Sequence, residues 1–237
     1  MRRFFATRIE DGIAYFDAQE SAHMRKVLRM TEGMQIIVPE GRGEWLAEIT
    51  EMGTEAQAKL LEWQGCKAEP NKKITLYLAY TKSDKMELVV QKAVELGASA
   101  VMPFISSRCV KIPDAKSAQK GNERMSRIAH EAVKQCGRAA EMTVGMPLKY
   151  GDFLKEIGKH ELTIFAYECA EEPLKPILTT DAEDIAIIIG CEGGFSEKEA
   201  EEIIAAGAKC VSLGARILRA ETAAIALLAI AAYETGC

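Results

Sequence analysis

Ile189-Gly190-Cys191-Glu192-Gly193-Gly194-Phe195-Ser196 sets a glycine-rich turn between an apolar run and a helix start. A second stretch, Leu213-Gly214-Ala215-Arg216-Ile217-Leu218-Arg219-Ala220-Glu221-Thr222-Ala223, repeats the arrangement a few residues on. Glycine straight after a strand lets the backbone bend sharply and lets a ligand approach the main chain. Two such bends in one α/β segment predict a ligand pocket built from backbone rather than from a metal or a catalytic triad.

Outward from these stretches, strand and helix patterns alternate. Strands are predicted at Ile74–Tyr80, Ala98–Phe104, Leu162–Tyr167, Ile185–Ile189 and Val211–Leu213. The densest of them are apolar throughout, as in a sheet covered on both faces. Helices are predicted at Asp84–Leu96, Asn122–Cys136 and Asp152–Ile157, with Gly97 and Gly137 as stops. Ser196 and Glu199 form a capping box for a helix ending at Gly207. An alanine-rich helix runs to about Glu234, with Gly236 behind it. This half is predicted to be an α/β sheet with helices on both faces.

Residues 1 to about 70 have a different texture. Short β-type runs at Arg3–Thr7, Ile13–Phe16, Gln35–Val38, Trp45–Thr50 and Ala56–Trp63 alternate with glycine turns, which suggests a small barrel or sandwich. A helical piece at Ala18–Met30 interrupts them, and Gly65–Lys73 is the best linker.

With 237 residues, 48% hydrophobic and 27% charged, the chain reads as globular, of one large domain or two modest ones. No apolar run spans a bilayer uninterrupted, and Thr7, Arg8 and Glu10 break the N-terminal apolar patch too early for a signal peptide, so a cytoplasmic protein is expected. Seven cysteines without C-x-x-C spacing and three scattered histidines predict neither a disulfide framework nor a metal site. The net charge of −5 argues against nucleic-acid binding, but its distribution does not. Phe104–Ala140 carries eight basic and three acidic residues, whereas Glu168–Glu202 carries eleven acidic residues and two lysines. Such asymmetry fits a face for a polyanion, and it equally fits ordinary solvated helices.

Dinucleotide-binding, P-loop, nucleophile-elbow and zinc-protease motifs are all absent from the sequence. The turn at 190–194 opens a helix, where anions bind well. Glu192, Glu197, Glu199, Glu201 and Glu202 nevertheless disfavour a phosphate there. A cationic or neutral polar ligand suits the site better, and a sulfonium-bearing adenosine fits.

The two stretches together resemble the SPOUT class of methyltransferases, and more narrowly the RsmE family of small-subunit rRNA uracil-N3 methyltransferases. His23 with Val27-Leu28-Arg29 and Gly33, Gln91-Lys92-Ala93 with Glu95-Leu96-Gly97, Pro103, Arg108, and Glu131-Ala132 with Gln135 and Arg138 extend the resemblance over nearly the whole chain, in order. Cys191 stands where that family usually has proline, and Glu141-Met142 replace a proline expected after Arg138.

The resemblance implies a PUA-like β-barrel over 1–70, a SPOUT α/β domain with a trefoil knot over 73–237, and a homodimer. It implies S-adenosylmethionine held by Phe165, Ala166, Tyr167 and Glu168, by Gly190, Glu192, Gly193 and Gly194, and by Ser212, Leu213, Gly214, Ile217 and Leu218. Ile217 and Leu218 would sandwich the adenine, or simply pack in the core. Arg138, Arg219 and Glu221 are the catalytic candidates, although Glu221 also fits a helix cap and Arg219 a knot or dimer contact. Ribosomal RNA would meet Arg2, Arg3, His23, Arg25, Lys26 and Arg29 in the N-terminal part, and Lys82, Arg108 and Lys111 beyond it. Two other functions remain compatible with the sequence: methylation of another RNA position, or a non-catalytic RNA-binding or ribosome-assembly module.

Overall fold

The structure is a computed structural model and describes residues 1–178 and 181–235. Gly236 and Cys237 lie outside the described residues. The chain divides into two compact units, residues 1–69 with 133–141, and residues 70–132 with 142–237.

The N-terminal unit is built on an antiparallel sheet of β1 (Arg8–Glu10), β2 (Ile13–Tyr15), β3 (Gln35–Glu40), β4 (Gly43–Met52) and β5 (Ala56–Gly65), in the order β1-β2-β5-β4-β3. Alternating inward side chains make its core, with Phe16, Met24, Ile36, Val38 and Ile49 at most 1% exposed. The expected strand at Arg3–Thr7 is not continuous. Arg3 pairs with Ile37 as an isolated parallel bridge, and the chain bends before β1. The helical piece is shorter than expected and irregular. Helix α1 (Ala18–Ala22) passes directly into a π-helical turn, His23–Val27. Asp17 caps α1 by accepting from Glu20 N at 2.7 Å. Ser21 is buried because its Oγ accepts from Ala56 N at 2.8 Å and fixes the helix on the sheet.

The C-terminal unit is built on a six-stranded, all-parallel sheet. Its strands are β6 (Lys73–Ala79), β7 (Ala100–Phe104), β8 (Thr143–Val144), β9 (Leu162–Ala166), β10 (Asp184–Ile189) and β11 (Lys209–Val211), in the order β11-β9-β10-β6-β7-β8. In the central register Ile187 lies between Leu76 and Ile164. Residues 185–189 are all buried, as the apolar sequence requires when both faces of a parallel sheet are covered. The helices are α2 (Ser83–Glu95), α3 (Ala115–Cys136), α4 (Tyr150–Ile157), α5 (Lys175–Leu178), α6 (Glu197–Ala205) and α7 (Ala220–Glu234). Helix α3 starts seven residues earlier than its apolar pattern predicts, because Asp114 accepts from Ser117 N at 2.7 Å and caps a polar first turn. The last strand ends two residues earlier than expected. Ser212 N turns away to Glu172 O at 2.9 Å.

Candidate active site

Strands β11, β9 and β10 are neighbours and run parallel, so the segments that follow them emerge together at their carboxyl ends. That is where open α/β sheets bind ligands. The segments are 166–170, 190–195 and 212–218, and they enclose a cleft of about 370 Å³. This is within the range of small-molecule sites, roughly 300–1,000 Å³.

Local chemistry shapes each wall. Gly194 N donates to Cys191 O at 2.9 Å and closes a tight turn, with Gly194 at φ +65°. A Cβ on Gly190 would fall 2.7 Å from the Phe195 ring, and one on Gly194 would fall 2.8 Å from Glu168 Oε1. Glu168 thus lies against the glycine turn and puts a carboxylate at the cleft. Gly214 differs: a Cβ there meets nothing within 4 Å, but φ is +104°, which L side chains avoid. Ile217 is 89% exposed, so it is not a core residue and its apolar face is free at the rim.

Ten of the expected cofactor residues line the cleft: Ala166, Tyr167 and Glu168; Gly190 and Gly194; Ser212, Leu213, Gly214, Ile217 and Leu218. Three do not line it. Phe165 is fully buried and stacks on Tyr167 at 5.3 Å. Gly193 packs on Arg108, whose Nη1 donates to Gly193 O at 2.9 Å. Glu192 turns away to Lys85. Arg216, part of the second motif but not among the expected cofactor residues, also lines the cleft.

Lys85 is a further residue missed in the sequence. Its ammonium lies 3.1 Å from Glu192 Oε1 and 3.3 Å from Glu221 Oε2. It joins the turn after β10 to the first turn of α7, which follows the third wall. The Thr81 hydroxyl is buried beside Glu192 without forming a well-aligned hydrogen bond, and with Lys85 it outweighs burial and holds the Glu192 carboxyl down at about 2. Pairing with Glu192, then Glu221, raises the Lys85 ammonium above its ordinary range. Lysine on an amphipathic helix reads as a solvated residue, and no local spacing signals partners a hundred residues away.

Glu199 performs a second tie. Its carboxylate completes the capping box with Ser196 N at 2.9 Å and also accepts from Ser107 N at 2.7 Å and Ser107 Oγ at 2.9 Å. Burial pushes its carboxyl up, but those hydrogen bonds win and hold it below the usual range.

The remaining catalytic candidates fall in different places. Arg219 is exposed at the N-cap position of α7, with no side-chain capping bond. Glu221 does not cap the helix; its carboxylate faces Lys85. Arg138 belongs to the N-terminal unit and is 3% exposed. Its Nη2 lies 3.3 Å from Glu69 Oε2, and Glu69 Oε1 also accepts from Ala139 N and Ala140 N at 2.7 and 2.8 Å.

Of the expected RNA contacts in the N-terminal unit, Arg2, His23, Arg25, Lys26 and Arg29 are exposed, and Arg3 pairs with Glu44 at 3.0 Å. In the C-terminal unit Lys82, Arg108 and Lys111 are exposed. Among the described residues no three metal-ligating side chains cluster, and no helix is long and apolar enough to cross a membrane.

The family described as RNA methyltransferase domain matches residues 68–232, and the RNA methyltransferase PUA domain matches residues 16–61. The chain belongs to the RNA methyltransferase family. Within it, the ribosomal RNA small subunit methyltransferase E of Bacillus subtilis is 30% identical over 99% of this chain and 97% of its own length. A solved ribosomal RNA small subunit methyltransferase E from Neisseria gonorrhoeae, bound to S-adenosyl methionine, superposes with a TM-score of 0.84 at 28% identity, covering 97% of this chain and 96% of that one. A Legionella pneumophila protein solved in complex with the bound cofactor SAM gives 0.82 at 29% identity, over 97% and 96%. These RNA methyltransferase relatives extend over both units of this chain.

Proposed function

We propose that the chain transfers a methyl group from S-adenosylmethionine to N3 of a uridine in small-subunit ribosomal RNA. The observation that carries this reading is the cleft at the carboxyl ends of three adjacent parallel strands in a chain of this family. Its walls fit the cofactor: glycines leave main-chain groups approachable, Glu168 offers a carboxylate to a cation, and Ile217 offers an apolar face to a purine. When bound, S-adenosylmethionine supplies a methyl group already activated by its sulfonium.

The protein's task is then orientation and charge. Uracil N3 is nucleophilic once its proton is lost, and the negative charge spreads onto the flanking carbonyl oxygens. A guanidinium is permanently charged and suits that anion. Arg219, exposed where the third wall enters α7, is the arginine assigned to it. Arg138 is ion-paired with Glu69 and positions its own unit instead. Glu221, facing Lys85, holds the walls together, so solvent takes the N3 proton. The exposed basic residues of each unit give RNA affinity that weakens with salt and places the RNA without specifying sequence. The target base leaves its stack to reach the methyl donor.

The finer architecture belongs to the same proposal. Residues 1–70 are assigned as a PUA-like barrel, supported by Phe4 N to Ile37 O at 3.0 Å and Thr7 N to Tyr15 O at 2.8 Å, which link the first residues to the edge strand β3 and to β2. Residues 73–237 are assigned as the methyltransferase domain, with its chain threaded as a trefoil knot. Helix α7 is apolar around its circumference and leaves Ile230 41% and Tyr233 83% exposed, which supports burial against a second copy in a homodimer. The protein would act in the cytoplasm. The test is deletion of its gene followed by mass spectrometry of small-subunit rRNA. Loss of N3-methyluridine and its return on complementation are expected; unchanged N3-methyluridine excludes the assignment.

A further inference from the structure

Cys191 occupies the glycine turn and lines the cleft. Its Sγ lies 3.2 Å from Arg108 O, against the loop that follows β7. Cys109 sits on that loop. Its Sγ accepts from Ser106 N at 3.3 Å and lies 3.3 Å from Ser106 Oγ. The same hydroxyl is 3.9 Å from Cys191 Sγ. The two thiols therefore flank one serine hydroxyl and are both buried, at 9% and 6% exposure. Neither is in a disulfide.

We propose that Cys109 and Cys191 form an oxidisable dithiol, and that its disulfide fastens the cofactor turn to the 105–109 loop and reversibly closes the cofactor cleft. The oxidant class is a hydroperoxide, which reaches the pair through the cleft wall that Cys191 supplies. The effect on binding rests on the cofactor reading given above; the dithiol itself does not.

The electrostatics suit stepwise oxidation. The Cys191 thiol facing the Cys109 sulfur, with Ser106, outweighs burial and brings the Cys109 thiol down to about 6, while the same contact and burial push Cys191 up. The two shifts run in opposite directions, so Cys109 is the sulfur that gives up its proton more readily. The Cys109 thiolate attacks a peroxide oxygen: an S–O bond forms, the O–O bond breaks, and hydroxide leaves and is protonated to water. Cys109 is then a sulfenic acid. Cys191 loses its proton and attacks the Cys109 sulfur; the S–S bond forms, the S–O bond breaks, and a second water leaves. Two thiols and one hydrogen peroxide give one disulfide and two waters. A disulfide holds its sulfurs about 2 Å apart, so Cys191 must leave Arg108 O and the turn that carries it is tied to the 105–109 loop.

The experiment treats the full chain with hydrogen peroxide, blocks free thiols, maps peptides by mass spectrometry, and titrates S-adenosylmethionine by calorimetry before and after. The expected result is a Cys109–Cys191 linked peptide and at least a tenfold loss of affinity, reversed by dithiothreitol. Prior saturation with cofactor should prevent the link. Cys109→Ser should bind cofactor like the parent when reduced, and should keep that affinity after peroxide. A reduced parent that binds no cofactor overturns the cofactor reading. A reduced parent that binds it, while the treated protein lacks the linked peptide or binds equally well, overturns the dithiol.

Discussion

The Lys85 ammonium lies 3.3 Å from Glu221 Oε2 and 3.1 Å from Glu192 Oε1, so one side chain on α2 secures both the second wall of the cleft and the helix that follows the third. Removing it leaves two carboxylates facing each other where the walls must stay together. Lys85→Met is expected to weaken S-adenosylmethionine binding roughly tenfold, because two partly buried carboxylates lose their counter-charge. Calorimetry checks this. Glu192→Gln combined with Lys85→Met should recover part of the loss, since less charge is then left unpaired. An equal loss in the double variant would count against the clamp.

Gly214→Val should abolish measurable cofactor binding. At φ +104° a β-branched residue is strained by about 1–3 kcal/mol, and its methyl groups would enter the cleft. A melting temperature within a few degrees of the parent, together with a flat titration, is the expected pair of results. Retained affinity would move the cofactor elsewhere.

Arg138→Ala should act on stability before it acts on turnover. The side chains of Arg138 and Glu69 are only 4% and 5% exposed, so truncation leaves a buried carboxylate uncompensated at a cost of about 3–5 kcal/mol. Calorimetric unfolding should show the transition of the N-terminal unit falling. A variant as stable as the parent but inactive would return Arg138 to the chemistry.

The Glu192 carboxyl sets an acid limit on the clamp. Its value in the folded protein, about 2, is below its ordinary 4.5, so its contacts with Thr81 and Lys85 stabilise the fold fully above about 4.5 and are lost as pH falls through about 2. The difference in melting temperature between the parent and Glu192→Gln should be constant above that window and shrink within it. A gap that widens on acidification would reverse the sign and refute the assignment.

The parallel sheet and the two glycine turns were legible because both are local: largely apolar runs for β6 and β10, and glycines at 190, 194 and 214. Other features needed partners distant in sequence. Lys116, Gln119 and Lys120 hide the start of α3, which only the Asp114 cap reveals. Glu192 and Gly193 sit in the right motif yet meet Lys85 and Arg108, because they are the two central residues of the turn closed by Gly194 N on Cys191 O. Arg138 reads as a catalytic candidate at the end of a basic helix and is found buried beside Glu69, a partner that no helical or strand period connects to it.

The order β11-β9-β10-β6-β7-β8 has a consequence for biosynthesis. β6 gains β7 soon after leaving the ribosome, but its other edge waits for β10, with Ile74 meeting Ile185. Throughout that interval a largely apolar strand has an open side, and nothing resembling a ligand cavity exists yet. Nascent chains halted before β10 should therefore be sticky and chaperone-dependent, and catalytic competence should arrive only once residues 212–218 have been made.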